Sequence, residues 1–571
     1  MKWKFKNLQP ENILEHSKKL KTSYFFSNIL LSRDIETVEE IERFFHPADT
    51  KLYDPFLLLD MDKSVKKIHS LINSEKKLLI FGDYDVDGVT STSLLYQFFS
   101  KFSKNISYYI PNRETEGYGL SKIGIDYASE NNISLIITCD CGISSVDEID
   151  YATSKNIETI VTDHHQPDNV LPNAYSIVNP KRKNDKSLNK DLAGVGVAYK
   201  LISAYCQKYD IPQKEADEFL YFVALGTSAD IVKMRDENRV LTFRGVQQIN
   251  ESNIGVGLAE LIKVCNFKNE DINVTKIVFN IAPRLNASGR LMSADNSVNL
   301  LITDDVRFAR EEADTLNELN IKRRSIQDEV LESALFQIQE KYGNEIPKII
   351  ILSSDKWHPG VVGIVSSKIK EEYYRPNFLI SFRDGLGKGS GRSIRKFNLY
   401  DSLANSKKYL EGFGGHFFAA GLGIKKENIN NFDLSISKYA NENITNDDLE
   451  KSLFIDAEAR IEDINSTLLK FVEKMRPYGP GNMRPVFCMI KVRPYKARIL
   501  KDKHLKFIVK SDKYSLNCIG WSMADKFEMV MSPDNEIDIA FVVEINEWNN
   551  VKNIQLVIKD IKKWRENGNE N

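Results

Sequence analysis

The stretch "FGDYDVDG" (81–88) sets three carboxylates, Asp83, Asp85 and Asp87, at alternate positions straight after the apolar run "KKLLIF". Carboxylates this close repel one another, and burying any of them unpaired is costly. A divalent cation relieves both penalties, and oxygen donors joined by imidazole suit Mn²⁺ or Mg²⁺ better than structural zinc. Alone the pattern is more often a solvated acidic turn, so other residues have to decide. "TCDCG" supplies Asp140, "TDHHQP" supplies Asp163, His164 and His165, and "ALGTSADIV" supplies Asp230. Together they exceed what one divalent ion needs. Two ions about 3.5–4 Å apart, bridged by an aspartate and a water, would use most of them and serve phosphoester hydrolysis. A calcium EF-hand is excluded, because the Gly and Glu positions of its loop are absent.

The elements that carry these residues support convergence. From about 78 to 230, strand-length apolar runs such as "ISLIIT" and "ETIVT" alternate with helix-like amphipathic stretches. Such runs predict a parallel sheet covered on both faces. In an open α/β sheet, functional groups gather beyond the carboxyl ends of the strands, where these acids fall. Over 305–342, Ala309, Ala313, Leu316 and Leu319, then Ile326, Val330, Ala334 and Ile338, recur at helical spacing and predict one long helix joining two lobes. A second α/β pattern opens with "KIIILSS" and runs to about 440. From 452 on, five short strand-like runs predict a small closed antiparallel barrel. The expected organisation is a helical segment 1–70, a catalytic α/β domain 71–304, the helix 305–342, a second α/β domain 343–450 and a barrel 451–565, before the polar tail "RENGNEN".

At 571 residues the chain should hold several domains. No apolar run approaches the roughly 20 residues that span a bilayer. The start lacks the apolar region of a secretory signal. Six cysteines without a CxxC give neither a disulfide framework nor a zinc site, and together these features predict a cytoplasmic protein without membrane contact. A net charge of −2 argues against indiscriminate polyanion binding but permits a local basic groove.

"DYDVDG", "CDCG", "TDHH" and "ALGTSAD", in this order, resemble the DHH phosphoesterase superfamily. "PNRETEGYGL" (111–120), "LAGVGVAYK" (192–200), "IAPRLNASGRL" (281–291), "WHPGVVGIVSSKI" (357–369), "GKGSGRSI" (387–394), "GFGGHFFAAGL" (412–422) and "RPYGPGNMRPVF" (476–487) extend the resemblance to its RecJ branch, the single-strand-specific DNA exonucleases of bacteria. The resemblance covers nearly the whole chain, with departures confined to positions such as Ser228 and Gly391. It implies a DHH domain and a DHH-associated domain joined by the long helix, with a C-terminal OB-fold. It also implies 5′-to-3′ degradation of single-stranded DNA to nucleoside 5′-monophosphates, in DNA repair and recombination, with Mn²⁺ or Mg²⁺, two ions in all.

Carried over position by position, Asp83, Asp85, Asp87, Asp140, His164 and Asp230 are the expected metal ligands, with Asp140 bridging. His165 would stand beside the scissile phosphate, and Asp163 would orient the histidines. Ser390 and Arg392, with Arg113 and Tyr118, would form a pocket for the terminal 5′-phosphate, to which the glycines of "GKGSGRS" would admit backbone N–H groups. The bland reading of that segment is a Gly-rich hairpin. Arg284 and Arg290 would hold backbone phosphates, and His416 would touch the strand. His358 is either a site residue or a helix-entry partner. "KDKHLKF", with Lys503, His504, Lys506 and Phe507, is the barrel stretch expected to meet unpaired bases. A helicase and a single-strand-binding protein are the protein partners this function suggests, and nothing calls for more than a monomer.

Two other functions share some of these features. A DHH-type phosphoesterase for small oligonucleotides, cyclic dinucleotides or pyrophosphate would have no use for the barrel or the chain's length. A non-catalytic single-strand-binding scaffold predicts eroded metal positions, and here every one is filled.

Overall fold

The computed structural model describes residues 1–113, 115–267, 270–531, 536–548 and 551–564, so the polar tail lies outside the described residues. Two compact units are formed, one from 52–232 and 244–451, the other from 1–51, 233–243 and the chain from 452 on. Among the described residues no helix is long and apolar enough to cross a membrane.

The larger unit contains two sheets. The first has strands β1 (Lys77–Gly82), β2 (Ile106–Tyr109), β3 (Ile133–Cys139), β4 (Glu158–Thr162) and β5 (Ser176–Val178) in the order β2-β1-β3-β4-β5. Every pair is parallel. The strands read as apolar runs because both faces are covered, and Leu79, Ile80, Phe81, Ile136 and Ile137 are fully buried. Helices α1 (Val86–Ser100), α2 (Gly194–Lys208), α3 (Leu220–Ala229) and α4 (Ala282–Leu291) belong to the same unit.

Helix α5 (Val306–Tyr342) runs 37 residues. Asp305 caps its start by accepting from the N–H groups of Arg307 and Phe308, and Gly343, at φ 55°, ends it. Its buried stripe is apolar at both ends (Ala309, Ala313 and Leu316; Val330, Ala334 and Ile338) but polar in the middle. Leu319 and Ile326 are only half-buried. Asn320, Arg323 and Gln327 take the buried positions instead, with Arg323 donating to Asn320 (2.6 Å) and Gln327 (2.7 Å). The 3–4 spacing is unbroken, and apolar residues alone could not reveal it.

The second sheet has β6 (Ile350–Ser354), β7 (Asn377–Arg383), β8 (Leu386–Arg392), β9 (Gly412–Gly415) and β10 (Ala419–Lys425), ordered β9-β10-β8-β7-β6, with α6 (Pro359–Tyr373) packed on it. "GKGSGRS" lies in β8, at the centre of this sheet, as the second arm of the tight hairpin that β7 and β8 form and not in its turn. Its glycines sit under large side chains: a Cβ at Gly391 would come within 2.4 Å of Phe378, and one at Gly387 within 2.6 Å of Phe382. The opposite face of the strand presents Lys388, Ser390 and Arg392.

The second unit holds a seven-stranded sheet, β11 (Ala457–Glu458), β12 (Phe487–Val492), β13 (Pro494–Leu500), β14 (His504–Lys510), β15 (Ser515–Gly520), β16 (Ile537–Trp548) and β17 (Val551–Lys563), in the order β11-β12-β16-β17-β15-β14-β13. It is not wholly antiparallel, since β11–β12 and β15–β17 run parallel. The first strand-like run, "RPVFCMIKVRPYKARIL" (484–500), divides at Arg493 into two strands that do not pair with each other. Phe507 is fully buried in this core. Ile29, Phe25 and Phe26 from the N-terminal segment complete the same core, and Arg33 pairs with Asp456 at 2.8 Å.

Candidate metal centre and anion cavity

Register puts the acids at one level. Gly82 pairs with Cys139, and Cys139 with Thr162, so the next residues, Asp83, Asp140 and Asp163, leave three neighbouring strands side by side. Asp140 takes a left-handed φ of 61°, which aspartate tolerates better than most residues, and its N–H still bonds to Thr162 O. Asp85 caps α1, its Oδ1 accepting from the N–H groups of Asp87 (2.9 Å) and Gly88 (3.1 Å). Asp87 is buried within the first turn of α1 and accepts from Gly194 N–H (2.7 Å) and Val195 N–H (2.9 Å) at the start of α2. Asp230 follows the last residue of α3.

Three groups of ligand atoms lie within 4.8 Å of one another: Asp83, Asp85 and Asp140; Asp87, His164 and Asp230; and Asp140 with His164 and His165. Asp140 and His164 link the groups, His164 Nε2 standing 3.1 Å from Asp140, 3.6 Å from Asp230 and 3.8 Å from Asp87. Asp83 Oδ1, Asp140 Oδ1 and Asp230 Oδ2 are buried and find no hydrogen-bond partner among the described residues. Native proteins seldom leave such atoms unsatisfied, and cations supply what is missing. The donor set fits Mn²⁺ or Mg²⁺.

Burial and mutual repulsion push Asp83, Asp87 and Asp140 well above the ordinary carboxylate range. Burial, with His165 beside it, lowers His164 to about 4, so its imidazole is neutral and free to ligate. Asp163 differs from the other acids. Its Oδ1 accepts from His164 N–H (2.6 Å), His165 N–H (3.0 Å) and His165 Nδ1 (2.8 Å), and its Oδ2 from Ile143 N–H (3.0 Å). Burial opposes ionisation of Asp163, but the His165 hydrogen bond and charge hold it at about 2. Burial likewise opposes protonation of His165, yet Asp163 carries it up to about 9.

Several of the residues that position this cluster carry no functional group of their own. A Cβ at Gly194 would stand 2.6 Å from Asp140 Oδ1, and one at Gly226 would stand 2.7 Å from Asp87 Oδ1. Only glycine lets α2 and α3 approach the carboxylates so closely. The clustering of small residues in "LAGVGVAYK" and "ALGTSAD" was the available signal.

Arg113, Arg290 and Ser390 line a cavity of about 500 Å³ at the start of α6, and Arg392 donates to Ser390 Oγ at 3.1 Å. Arg290 also donates to Gly360 O (3.0 Å). Burial, with Arg113, Arg323 and Arg392 nearby, lowers Arg290 to about 9. Among the described residues no carboxylate lines the cavity. The β8 N–H groups belong to a strand paired on both sides, so the donors here are side chains and not the expected backbone groups.

Tyr118 does not line the cavity. Its hydroxyl donates to Asp140 O (3.0 Å) and lies 3.1 Å from His165 Nδ1. The loop 111–120 therefore reaches both places, Arg113 at the cavity and Tyr118 at His165. Glu116 pins that loop, accepting from Asn112 N–H (2.7 Å), Tyr109 Oη (3.0 Å) and Ser121 Oγ. The Tyr84 ring stands between the two, with the Arg113 guanidinium 5.1 Å from its centroid and Tyr118 edge-on at 6.5 Å. Arg284 is spent on Asn317 of α5 (3.0 Å) and Asn280 O (2.7 Å). His358 caps α6, accepting from Gly360 N–H (3.0 Å), so it is the helix-entry partner. His416 is exposed, its ring parallel to that of His165 at 6.3 Å. His504 accepts from Ser522 N–H (3.0 Å) in the other unit.

Residues 77–227 match the DHH family N-terminal domain, 347–442 the DHHA1 domain and 455–560 the RecJ OB domain. The single-stranded-DNA-specific exonuclease RecJ of Bacillus subtilis is 34% identical over 99% of this chain and 71% of its own length. The enzyme of that name from Escherichia coli is 32% identical over 93% of this chain and 94% of its own. The crystal structure of RecJ in complex with Mn²⁺ from Thermus thermophilus superposes with a TM-score of 0.85 at 25% identity, over 99% of this chain and 80% of that one. With strand-end carboxylates, a neutral histidine and a two-sheet unit bridged by one helix, this chain belongs to the RecJ branch of the DHH family.

Proposed function

We propose that this chain degrades single-stranded DNA from its 5′ end, hydrolysing phosphodiesters with Mn²⁺ or Mg²⁺ and releasing nucleoside 5′-monophosphates. The observation that carries the reading is the pairing of two features in one unit: a cluster of orphaned carboxylates at level strand ends, and a cavity whose charged lining is wholly cationic among the described residues. The relatives that cover most of the chain are named single-stranded-DNA-specific exonucleases.

Asp83, Asp85 and Asp140 would hold one ion and Asp87, His164 and Asp230 the other, with Asp140 placed to serve both. When bound, the ions acidify the attacking water and neutralise charge on the leaving 3′-oxygen. Gly194 and Val195 fix Asp87 through their N–H groups, which leaves the carboxylate little freedom. His165, kept protonated by Asp163, donates from Nε2 to an oxygen of the scissile phosphate, while its Nδ1 is held by Asp163 at 2.8 Å. Arg113, Arg290, Ser390 and Arg392 bind the terminal 5′-phosphate and set the first phosphodiester over the ions. Arg284 acts as a brace between α4 and α5 and not as a phosphate ligand. His416, parallel to His165, faces the strand on the opposite side.

The protein works as a monomer in the cytoplasm, on strands exposed by a helicase and coated by a single-strand-binding protein. Purified protein with 5′-labelled single and double strands, in Mn²⁺, Mg²⁺ or chelator, tests the main reading. It expects labelled mononucleotide from single strands only, and none in chelator. Equal release from both substrates, or activity in chelator, overturns it.

A further inference from the structure

The cavity is larger and more cationic than a single phosphate requires. Its volume of about 500 Å³ lies within the range of about 300–1,000 Å³ typical of whole small-ligand sites. Beyond Arg113, Arg290 and Ser390, its lining includes Arg383 at the end of β7 and Lys388 in β8. These two are exposed at the mouth, whereas Arg290 and Ser390 lie deeper. Arg392, Ser390 and Lys388 alternate along one face of β8, with about 6.6–6.8 Å between successive members. Arg383 stands beside them, because Ser381 pairs with Lys388 and Arg383 with Leu386. The polar donors thus form a row leading outward from the inner cations. A terminal monophosphate carries about −1.5 to −2, which the inner cations already match. Arg383 and Lys388 add cationic lining beyond those inner residues.

We infer that this cavity accepts DNA 5′ ends bearing a di- or triphosphate, the end left where a polymerase starts a chain from a nucleoside triphosphate. The inference rests on the assignment of the inner cations to the terminal phosphate. The α-phosphate would occupy the inner position, and the β- and γ-phosphates would run along β8 toward Lys388 and Arg383. The chemistry is unchanged. Water adds its oxygen to the phosphorus of the first phosphodiester, the P–O3′ bond breaks, and a proton goes to the leaving 3′-oxygen. The first product is then a nucleoside 5′-triphosphate, and the shortened strand keeps a 5′-monophosphate.

The test uses one oligodeoxynucleotide with a 5′-hydroxyl, 5′-monophosphate or 5′-triphosphate, the full chain and Mn²⁺. The first nucleotide released is identified by ion-exchange chromatography. The monophosphate and triphosphate strands should have kcat/KM within about threefold of each other and about tenfold above the hydroxyl strand, as expected for charge-assisted contacts. The triphosphate strand should release a nucleoside triphosphate first. Arg383→Ala combined with Lys388→Ala should lower the triphosphate-to-monophosphate ratio about fivefold or more, the loss of two charge contacts. A triphosphate strand no better than the hydroxyl strand, while the monophosphate strand is favoured, overturns the inference alone. So does a nucleoside monophosphate as first product from that strand, or a ratio the double variant leaves unmoved. A monophosphate strand no better than the hydroxyl strand overturns the assignment of the inner cations, and the inference with it.

Discussion

Gly194→Ala places a methyl group where Asp140 Oδ1 would be only 2.6 Å away, with the Asp140 Cβ at 2.7 Å and Cγ at 2.8 Å. Ordinary contact begins near 3.4 Å, so the carboxylate has to retreat by about 0.8 Å. Metal–ligand distances tolerate about 0.2 Å, so a shared ligand displaced this far fails both ions. Changes that disturb a ligand's support lower metal affinity by about 10–100-fold. At saturating Mn²⁺ that removes about 1.4–2.7 kcal/mol of metal-linked stability. A misplacement approaching 1 Å also costs about 100-fold in rate. The same contact strains the folded protein in chelator by about 1–3 kcal/mol, so the metal effect is read as the loss of the Mn²⁺-induced melting shift and not from the chelated melting point. The Gly194 N–H to Asp87 survives, which isolates the effect on Asp140. The assay is thermal melting across a Mn²⁺ titration, paired with single-strand hydrolysis. Gly412→Ala, where the methyl meets nothing within 4 Å, is the control. A Gly194→Ala protein with wild-type Mn²⁺ response and rate would refute the geometry of the shared ligand.

Asp87→Asn sets an amide against the N–H groups of Gly194 and Val195 and removes a ligand charge; hydrolysis should fall at least about 100-fold, measured as nucleotide release. Glu116→Ala frees the loop carrying Arg113 and Tyr118. The preference for 5′-phosphorylated over 5′-hydroxyl strands and kcat should both fall several-fold, with the Mn²⁺-induced melting shift unchanged; a rise in KM alone would contradict the shared anchor. Gly391→Val drives a side chain into Phe378, 2.4 Å from the added Cβ, and should destabilise the second sheet by about 1–3 kcal/mol in denaturant melts. In chelator, Asp83, Asp87 and Asp140 have raised folded-state pKa values, so the folded protein binds more protons than the unfolded one. Their contribution is present near the unfolded value of about 3.9 and is lost as pH rises through the folded values, so chelated protein should melt lower at neutral than at mildly acid pH. Saturating Mn²⁺ should flatten that dependence.

Much of the site was legible because its chemistry is written in residue type and its placement in strand ends. Asp83, Asp140 and Asp163 each follow an apolar run, and parallel pairing needs only those runs to be neighbours. The long helix was legible from its apolar ends. Its polar centre was not, because Asn320, Arg323 and Gln327 look like surface residues until the neighbours that bury them are known. "GKGSGRS" misled for a related reason. Glycines ordinarily signal a turn, but here they make room for Phe378 and Phe382, a requirement set by residues close in sequence yet on another strand. Tyr118 belongs with His165 and not with the anion cavity, because the loop that Glu116 anchors carries Arg113 to one place and Tyr118 to the other. The support from Gly194 and Gly226 is purely tertiary, as neither residue carries a group that announces a ligand.

The central claim is that two ions share Asp140 at these strand ends. Anomalous diffraction at the manganese edge, from crystals of the Mn²⁺-loaded protein, tests it most directly. Two peaks about 3.5–4 Å apart are expected, one among Asp83, Asp85 and Asp140, the other among Asp87, His164 and Asp230, with the Asp140 carboxylate within ligand distance of both. A single peak, or a pair to which Asp140 is not common, would contradict it.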